Sequence, residues 1–194
     1  VNAPLTLEQE KYRRLVLKQT AADIERSLFQ QSDALFVVSR ALASYAERLG
    51  AAADRITVLP NAVDPERFSP GIEPAHLGLE GKRLIGFVGS LKPWHDVDTL
   101  IHAVGELHAR RPEYHLLVVG DGPRREALEA LQAPFLTLRG AVAHDEVPAL
   151  LAAMDAIVVP YAPDGDPYFS PLKLFEAMAM ARPVIGAEVG QVAE

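Results

Sequence analysis

Tyr168-Phe-Ser-Pro-Leu-Lys-Leu-Phe-Glu-Ala-Met-Ala-Met-Ala-Arg-Pro-Val-Ile-Gly186 reads as a loop, a short helix, a hard stop and a buried strand. Ser170 is a good N-cap, and Pro171 suits the first helical position, where its missing N–H is not needed. Leu172, Phe175 and Ala179 share one side, suited to packing on a sheet. Lys173 and Glu176 lie three residues apart and share another. Pro183 ends the helix, and Val184-Ile185 opens the strand.

Upstream, the same unit recurs. Leu84 to Val88 is apolar and ends at Gly89; Val97, Leu100, Ile101, Val104 and Leu107 then follow at helical spacing. His115 to Val119 ends at Gly120-Asp-Gly-Pro123, with Ala127, Leu128 and Leu131 behind it. Phe135 to Leu138 ends near Gly140, before Val147, Leu150, Leu151 and Met154; Ala156 to Val159 ends at Pro160. Strand–helix alternation of this kind predicts an α/β fold, a parallel sheet with helices on both faces. Ligands in such folds sit beyond the carboxyl ends of the strands, where Gly89, Gly120, Gly140 and the 161–170 loop fall.

The chain before residue 82 is different. Residues 7–30 read as one long charged helix with Leu17, Ala21, Ile24 and Leu28 along one side. Ala34–Val38 is a short buried strand, and Ser39 caps a helix striped by Leu42, Tyr45, Ala46 and Leu49 that stops at Gly50. Ile56–Leu59 is another strand. Residues 61–81, rich in turn formers, read as a linker between a helical, partly α/β segment (1–60) and the alternating domain (82–194). Both ends read as cuts through a longer protein.

Composition narrows the function. The chain has 194 residues, 49% hydrophobic and 23% charged, as a soluble domain with a real core has. Acidic residues outnumber basic ones 26 to 19, which argues against a general nucleic-acid binder. Without cysteine there is no disulfide, thiolate metal site or cysteine nucleophile. The histidines show no metal-ligand spacing, so no metal is expected. No transmembrane-length run or signal peptide is present, so the location expected is cytoplasmic, or peripheral to a membrane in the full-length protein. Apolar surface at the cuts allows a homodimer.

The helix that opens near Ser170 offers free N–H groups to an anion, Lys173 adds a positive charge, and Glu176 can accept both hydroxyls of a ribose diol. That set suits a sugar nucleotide; an ordinary exposed Lys173–Glu176 ion pair is the plainer alternative. Gly120-Asp-Gly-Pro is a dinucleotide fingerprint with Arg125 in place of its third glycine, or simply a tight turn. Asp164 and Asp166 read as a solvated turn before a paired-carboxylate site. Trp94 lies in the loop after Gly89 as a stacking ring or an exposed aromatic, and His95 beside it as a phosphate ligand or a loop residue.

Ala34–Ser39 with Leu59-Pro-Asn-Ala-Val-Asp64 and Phe68, then Gly86-Phe-Val-Gly-Ser-Leu91, Val118-Val-Gly-Asp-Gly-Pro123, Leu174-Phe-Glu-Ala-Met-Ala179 and Pro183-Val resemble the GT-B glycosyltransferases of family 4. The motifs run in order over nearly the whole chain. The resemblance implies a retaining hexosyltransferase that moves a sugar from a nucleotide-diphosphate-sugar donor to a saccharide, lipid or small-molecule acceptor without a metal. It implies that 1–60 is the tail of an acceptor-binding domain and 82–194 a Rossmann-like donor-binding domain, inactive alone because catalytic elements precede it. By position it places Glu176 at the donor ribose and Ser170, Pro171, Leu172 and Lys173 at the diphosphate and sugar. Ala141 and Val142 after Gly140 fall at the base, and Gly89, Gly120 and Gly122 in the phosphate turns.

The chain also departs from the family pattern. Tyr168 stands where a glutamate for the donor sugar is usual, with Asp166 as the nearby substitute. Ser90 and His95 replace the arginine and lysine of the diphosphate site, with Lys92 to compensate. Asp96 and Ala181 stand where glycines are usual. A non-catalytic nucleotide-binding scaffold and a nucleotide-sugar epimerase of the same architecture are the alternative readings.

Overall fold

The computed structural model describes residues 1–12, 14–162 and 168–194. The chain forms two compact units. The first holds Val1–Asn61, the stretch ending at Pro171 and Val189–Glu194; the second holds the chain from Ala62 and Leu172–Glu188.

In the first unit the single helix expected over residues 7–30 is two, α1 (Leu5–Tyr12) and α2 (Lys18–Gln31). Leu17 takes φ −100°, ψ 62°, outside the helical region, and Lys18 meets Glu10 at 3.1 Å as the chain doubles back. The turn brings Val1, Ala3, Leu5 and Leu15 to Ala21, Ile24, Leu28 and Phe29 around an apolar groove of about 510 Å³. Continuous periodicity hid the break, because both helices put apolar residues toward the same groove. β1 (Leu35–Val37) pairs in parallel with β2 (Ile56–Val58). α3 (Arg40–Arg48) is capped by Ser39, whose hydroxyl accepts the Leu42 N–H at 3.2 Å. Phe29, Val37, Leu42, Tyr45 and Ala46 form the core here, with Tyr168 packed against it. The Ser170 hydroxyl accepts the Asn61 backbone N–H at 2.9 Å, and its carbonyl accepts Asn61 Nδ2 at 2.7 Å. Ser170 therefore serves Asn61, not the N-cap position expected of it.

The second unit is built on five parallel strands: β3 (Arg83–Val88), β4 (Tyr114–Val119), β5 (Leu136–Gly140), β6 (Ala156–Val159) and β7 (Val184–Gly186). Their order is β5-β4-β3-β6-β7, so the expected α/β class holds. The chain leaves β3 in one direction and returns to its other side at β6, which makes the carboxyl ends of β3 and β6 the switch point of the sheet. The connections carry α4 (Val97–Arg110), α5 (Arg125–Glu129), α6 (Val147–Ala152) and α7 (Leu172–Ala179). Phe87, Leu100, Val104, Leu116, Val118 and Leu128 interlock between β3, β4 and the α4–α5 side. Gly86 is the narrow point of the central strand, since a Cβ there would fall on the buried Met154.

Two sequence expectations fail in this unit. Leu172 is 50% exposed, and α7 buries Glu176 and Ala177 instead. The inward side of this helix is thus built partly of polar groups that find partners, as the site shows. β7 is not a buried strand: it is the sheet edge, and Ile185 is 59% exposed. Among the described residues no helix is long and apolar enough to cross a membrane.

Both positions at which the resemblance sets a glycine are left-handed. Asp96 has φ 41° and Ala181 has φ 51°. Asp96 recovers part of the strain by accepting the Thr99 hydroxyl at 2.9 Å. Ala181 has only a methyl group, so Ala181→Gly is expected to raise the unfolding free energy by about 1 kcal/mol. Urea denaturation checks this, and an unchanged or lowered midpoint rejects it.

Candidate functional site

Three turns meet beyond the carboxyl ends of β3, β4 and β5. Gly89 N–H donates to Val119 O at 2.9 Å, Leu91 N–H to Asp121 O at 2.8 Å and Gly120 N–H to Gly140 O at 2.7 Å. These bonds draw the strand ends so close that side chains do not fit. Gly120 has φ 134°, and a Cβ there would stand 1.9 Å from the Gly89 carbonyl oxygen. Gly122, at φ 157°, would put one 2.8 Å from Leu91 N. Arg125, in the slot of the missing third glycine, reaches over Gly140 instead: its guanidinium is 2.7 Å from a Cβ placed there. It is held by Glu129 at 2.7 Å and Asp121 at 3.6 Å.

Lys173 comes to this floor from α7. Its Nζ lies 2.6 Å from the position of a Gly89 Cβ, so the glycine is the space the amine uses. The amine donates to His95 Nε2 at 3.0 Å and sits 4.6 Å from the Phe87 ring centroid and 5.6 Å from that of Tyr161. Burial in this aromatic setting pushes the Lys173 pKa down to about 7, opposed by the charge of Glu176. His95 is only 7% exposed, with the Ser90 carbonyl 2.5 Å from Nδ1. A carbonyl can only accept, so Nδ1 carries the proton and Nε2 presents its lone pair to Lys173. Burial first, and Lys173 second, hold the His95 pKa down to about 4.

Glu176, one turn on, is 8% exposed, and its Oε1 accepts from His144 Nε2 at 3.1 Å. The exposed Lys173–Glu176 ion pair is therefore ruled out. Both groups are turned inward, and each meets a different histidine. His144 follows Gly140-Ala141-Val142 and packs on the buried Phe68 ring at 5.5 Å. The Arg67–Asp145 ion pair ties the same two segments together.

The sequence-predicted residues divide as follows. Gly89, Gly120, Gly122, Lys173 and His95 come together at the switch point, with Glu176 beside them on α7. Ser90 is exposed on the loop that holds His95, and Lys92 points its Nζ toward the Trp94 ring at 5.9 Å. Ala141 is exposed and Val142 half-buried on the loop that leads to His144. Leu172 is at the exposed start of α7. Tyr168, Ser170 and Pro171 belong to the first unit. Asp166, with Asp164, lies outside the described residues. Among the described residues no group of three or more acidic, histidine or cysteine side chains gathers as a metal site.

Two residues escaped the sequence reading. Tyr161, directly after β6, closes over Lys173 and packs on His95 at 5.4 Å. Its place after a strand end was the available signal. His144 gave no local signal, since its partner Glu176 is distant in sequence.

Residues 82–194, more than half of the chain, match the family model described as glycosyl transferases group 1. The chain belongs to this family. Residues 5–67 match a second model, glycosyltransferase family 4. The chain is 39% identical over 132 residues to the 2-deoxystreptamine glucosyltransferase of Streptomyces kanamyceticus, covering 59% of this chain and 33% of that protein. It is 36% identical over 155 residues to the D-inositol 3-phosphate glycosyltransferase of Stackebrandtia nassauensis, covering 71% and 34%. The chain thus spans about a third of the length of these relatives. Anabaena HepE, solved in complex with UDP and glucose, shares the fold: TM-score 0.73 at 22% identity, over 90% of this chain and 50% of that one.

Proposed function

We propose that the chain is the donor-binding part of a retaining glycosyltransferase that uses a nucleotide-diphosphate-sugar and no metal. The observation that carries the reading is the inward turn of Lys173 and Glu176 from one face of α7. Lys173 stands over the glycine turns, and the Glu176 carboxylate is buried beside them. A diphosphate lying over the turns would find its counter-charge in the Lys173 amine. Charge grows on the leaving diphosphate as the glycosidic bond breaks, and a cation already in place favours that state over the ground state. Glu176 supplies two acceptor oxygens for the vicinal hydroxyls of the ribose, aimed by His144. In HepE the solved ligands are UDP and glucose, a nucleotide and sugar of the class this arrangement suits.

Calorimetric titration with UDP, GDP and ADP and their sugar conjugates tests the reading. One nucleotide is expected to bind, and Glu176→Ala to weaken it about tenfold or more, the scale of a lost hydrogen bond to a charged group. Binding that the substitution leaves untouched would remove Glu176 from the ribose. By itself the chain is expected to bind donor and transfer no sugar, which a product assay with free acceptor sugars checks.

A further inference from the structure

We infer that His95 and Lys173 form a proton-linked cation site, in which Lys173 takes up a proton as a nucleoside diphosphate binds and His95 is the residue that positions it. The inference rests on the donor-site reading above and adds a property that this reading does not require.

Geometry carries it. His95, in the loop after β3, is locked as an acceptor. Ser90 O accepts the hydrogen bond of Nδ1–H, so Nε2 has no proton to offer an anion. A neutral histidine, hydrogen-bonded this way, is a poor diphosphate ligand and a good receiver of an N–H. Lys173 Nζ supplies that N–H from the other side at 3.0 Å. His95 thus holds the α7 amine over Gly89.

The groups that face the amine from each surrounding element decide how it titrates. Phe87 from β3 and Tyr161 after β6 offer ring faces, His95 offers a neutral lone pair, and Glu176 on α7 is engaged by His144. No carboxylate is bonded to Lys173 among the described residues. An amine enclosed this way ionises only weakly until an anion arrives, consistent with its lowered pKa of about 7. A diphosphate supplies the missing negative charge, and the amine then binds its proton firmly. The same charge remains available when the diphosphate departs as leaving group.

Titration with the tightest-binding of UDP, GDP and ADP at pH 8, in two buffers of different ionisation enthalpy, counts the protons. The expected uptake is close to one proton at pH 8, where the free diphosphate is fully ionised, and it falls as the pH drops through 7. The dissociation constant should rise about tenfold per pH unit above pH 7.5, because an increasing share of the amine must first be protonated. Lys173→Met should abolish the uptake and flatten the pH profile. His95→Leu should shift the profile, and His95→Gln, which keeps an acceptor, should restore it. A structural role for His95 alone would leave the profile in place. Binding with no proton uptake at pH 8, or with a flat profile to pH 9, overturns the inference and leaves the donor site standing. Failure of all three nucleotides to bind overturns both.

Discussion

Lys173→Met is expected to make the protein more stable and to weaken its hold on a nucleotide. Burial lowers the Lys173 pKa to about 7, whereas an unfolded lysine titrates near 10.4. Between those values the folded state binds fewer protons than the unfolded one, so stability rises with pH across that window. Below about pH 7 the folded chain carries the full penalty of a charged amine in an aromatic enclosure. At about 1.4 kcal/mol per pKa unit, that penalty is on the order of 5 kcal/mol. Methionine has similar length, fills the space beside Phe87 and Tyr161, and makes favourable sulfur–aromatic contacts. His95 Nε2 loses its donor in exchange, at a cost of about 1–2 kcal/mol. The net gain expected at pH 6 is about 3 kcal/mol, shrinking steadily from pH 7 to pH 10. Urea denaturation at pH 6 and pH 9 measures it. A gain of equal size at both pH values would place its origin in packing and remove the buried charge as the cause. A site that destabilises its own fold is what a functional cation produces.

Gly120→Ala is expected to cost about 4 kcal/mol and to disable the site in whatever remains folded. The new methyl group would stand 1.9 Å from the Gly89 carbonyl oxygen, an atom of rigid backbone at the end of the neighbouring strand. Relief requires the β3 and β4 ends to separate, which breaks the Gly89 N–H bond to Val119 O and widens the floor beneath Lys173. Left-handed strain of about 1–2 kcal/mol adds to overpacking of about 1–3 kcal/mol. Gly78→Ala is the control: φ is positive there as well, at 68°, but nothing lies within 4 Å. It should cost only about 1 kcal/mol. Thermal unfolding of the two variants separates steric closure from backbone handedness, and equal losses would mean that the turns can spread at little cost.

The sheet was legible because its strands announce themselves twice, as apolar runs and as the glycines that end them. Gly89, Gly120 and Gly140 marked the loops correctly for that reason, and their close approach explains why nothing larger stands there. Ala181, where the resemblance sets a glycine, is left-handed at φ 51°. What one-dimensional pattern could not carry was which side of a helix faces inward when that side is polar. Leu172 and Phe175 looked like the buried stripe of α7, yet the helix turns Lys173 and Glu176 inward because His95 and His144 await them. Those histidines come from loops far away in sequence, so neither contact leaves a local trace. The break between α1 and α2 was invisible for a different reason: the apolar spacing continues through it. The fold class thus follows from spacing alone, whereas the partners of Lys173 and Glu176 required the folded chain.

The strand order also sets a sequence of events in time. β3 meets β4 across a single helix, and β4 meets β5 across another, so that half of the sheet closes short loops. β6 reaches β3 only after two strands and three helices have intervened, and the entropy of closing that longer loop delays it. The glycine turns belong to the early half; Tyr161 and Lys173 arrive with the late one. A growing or partly unfolded chain is therefore expected to set its glycine turns before it sets the amine above them. A nucleotide bound through Lys173, as proposed above, would therefore hold together the contacts expected to form last.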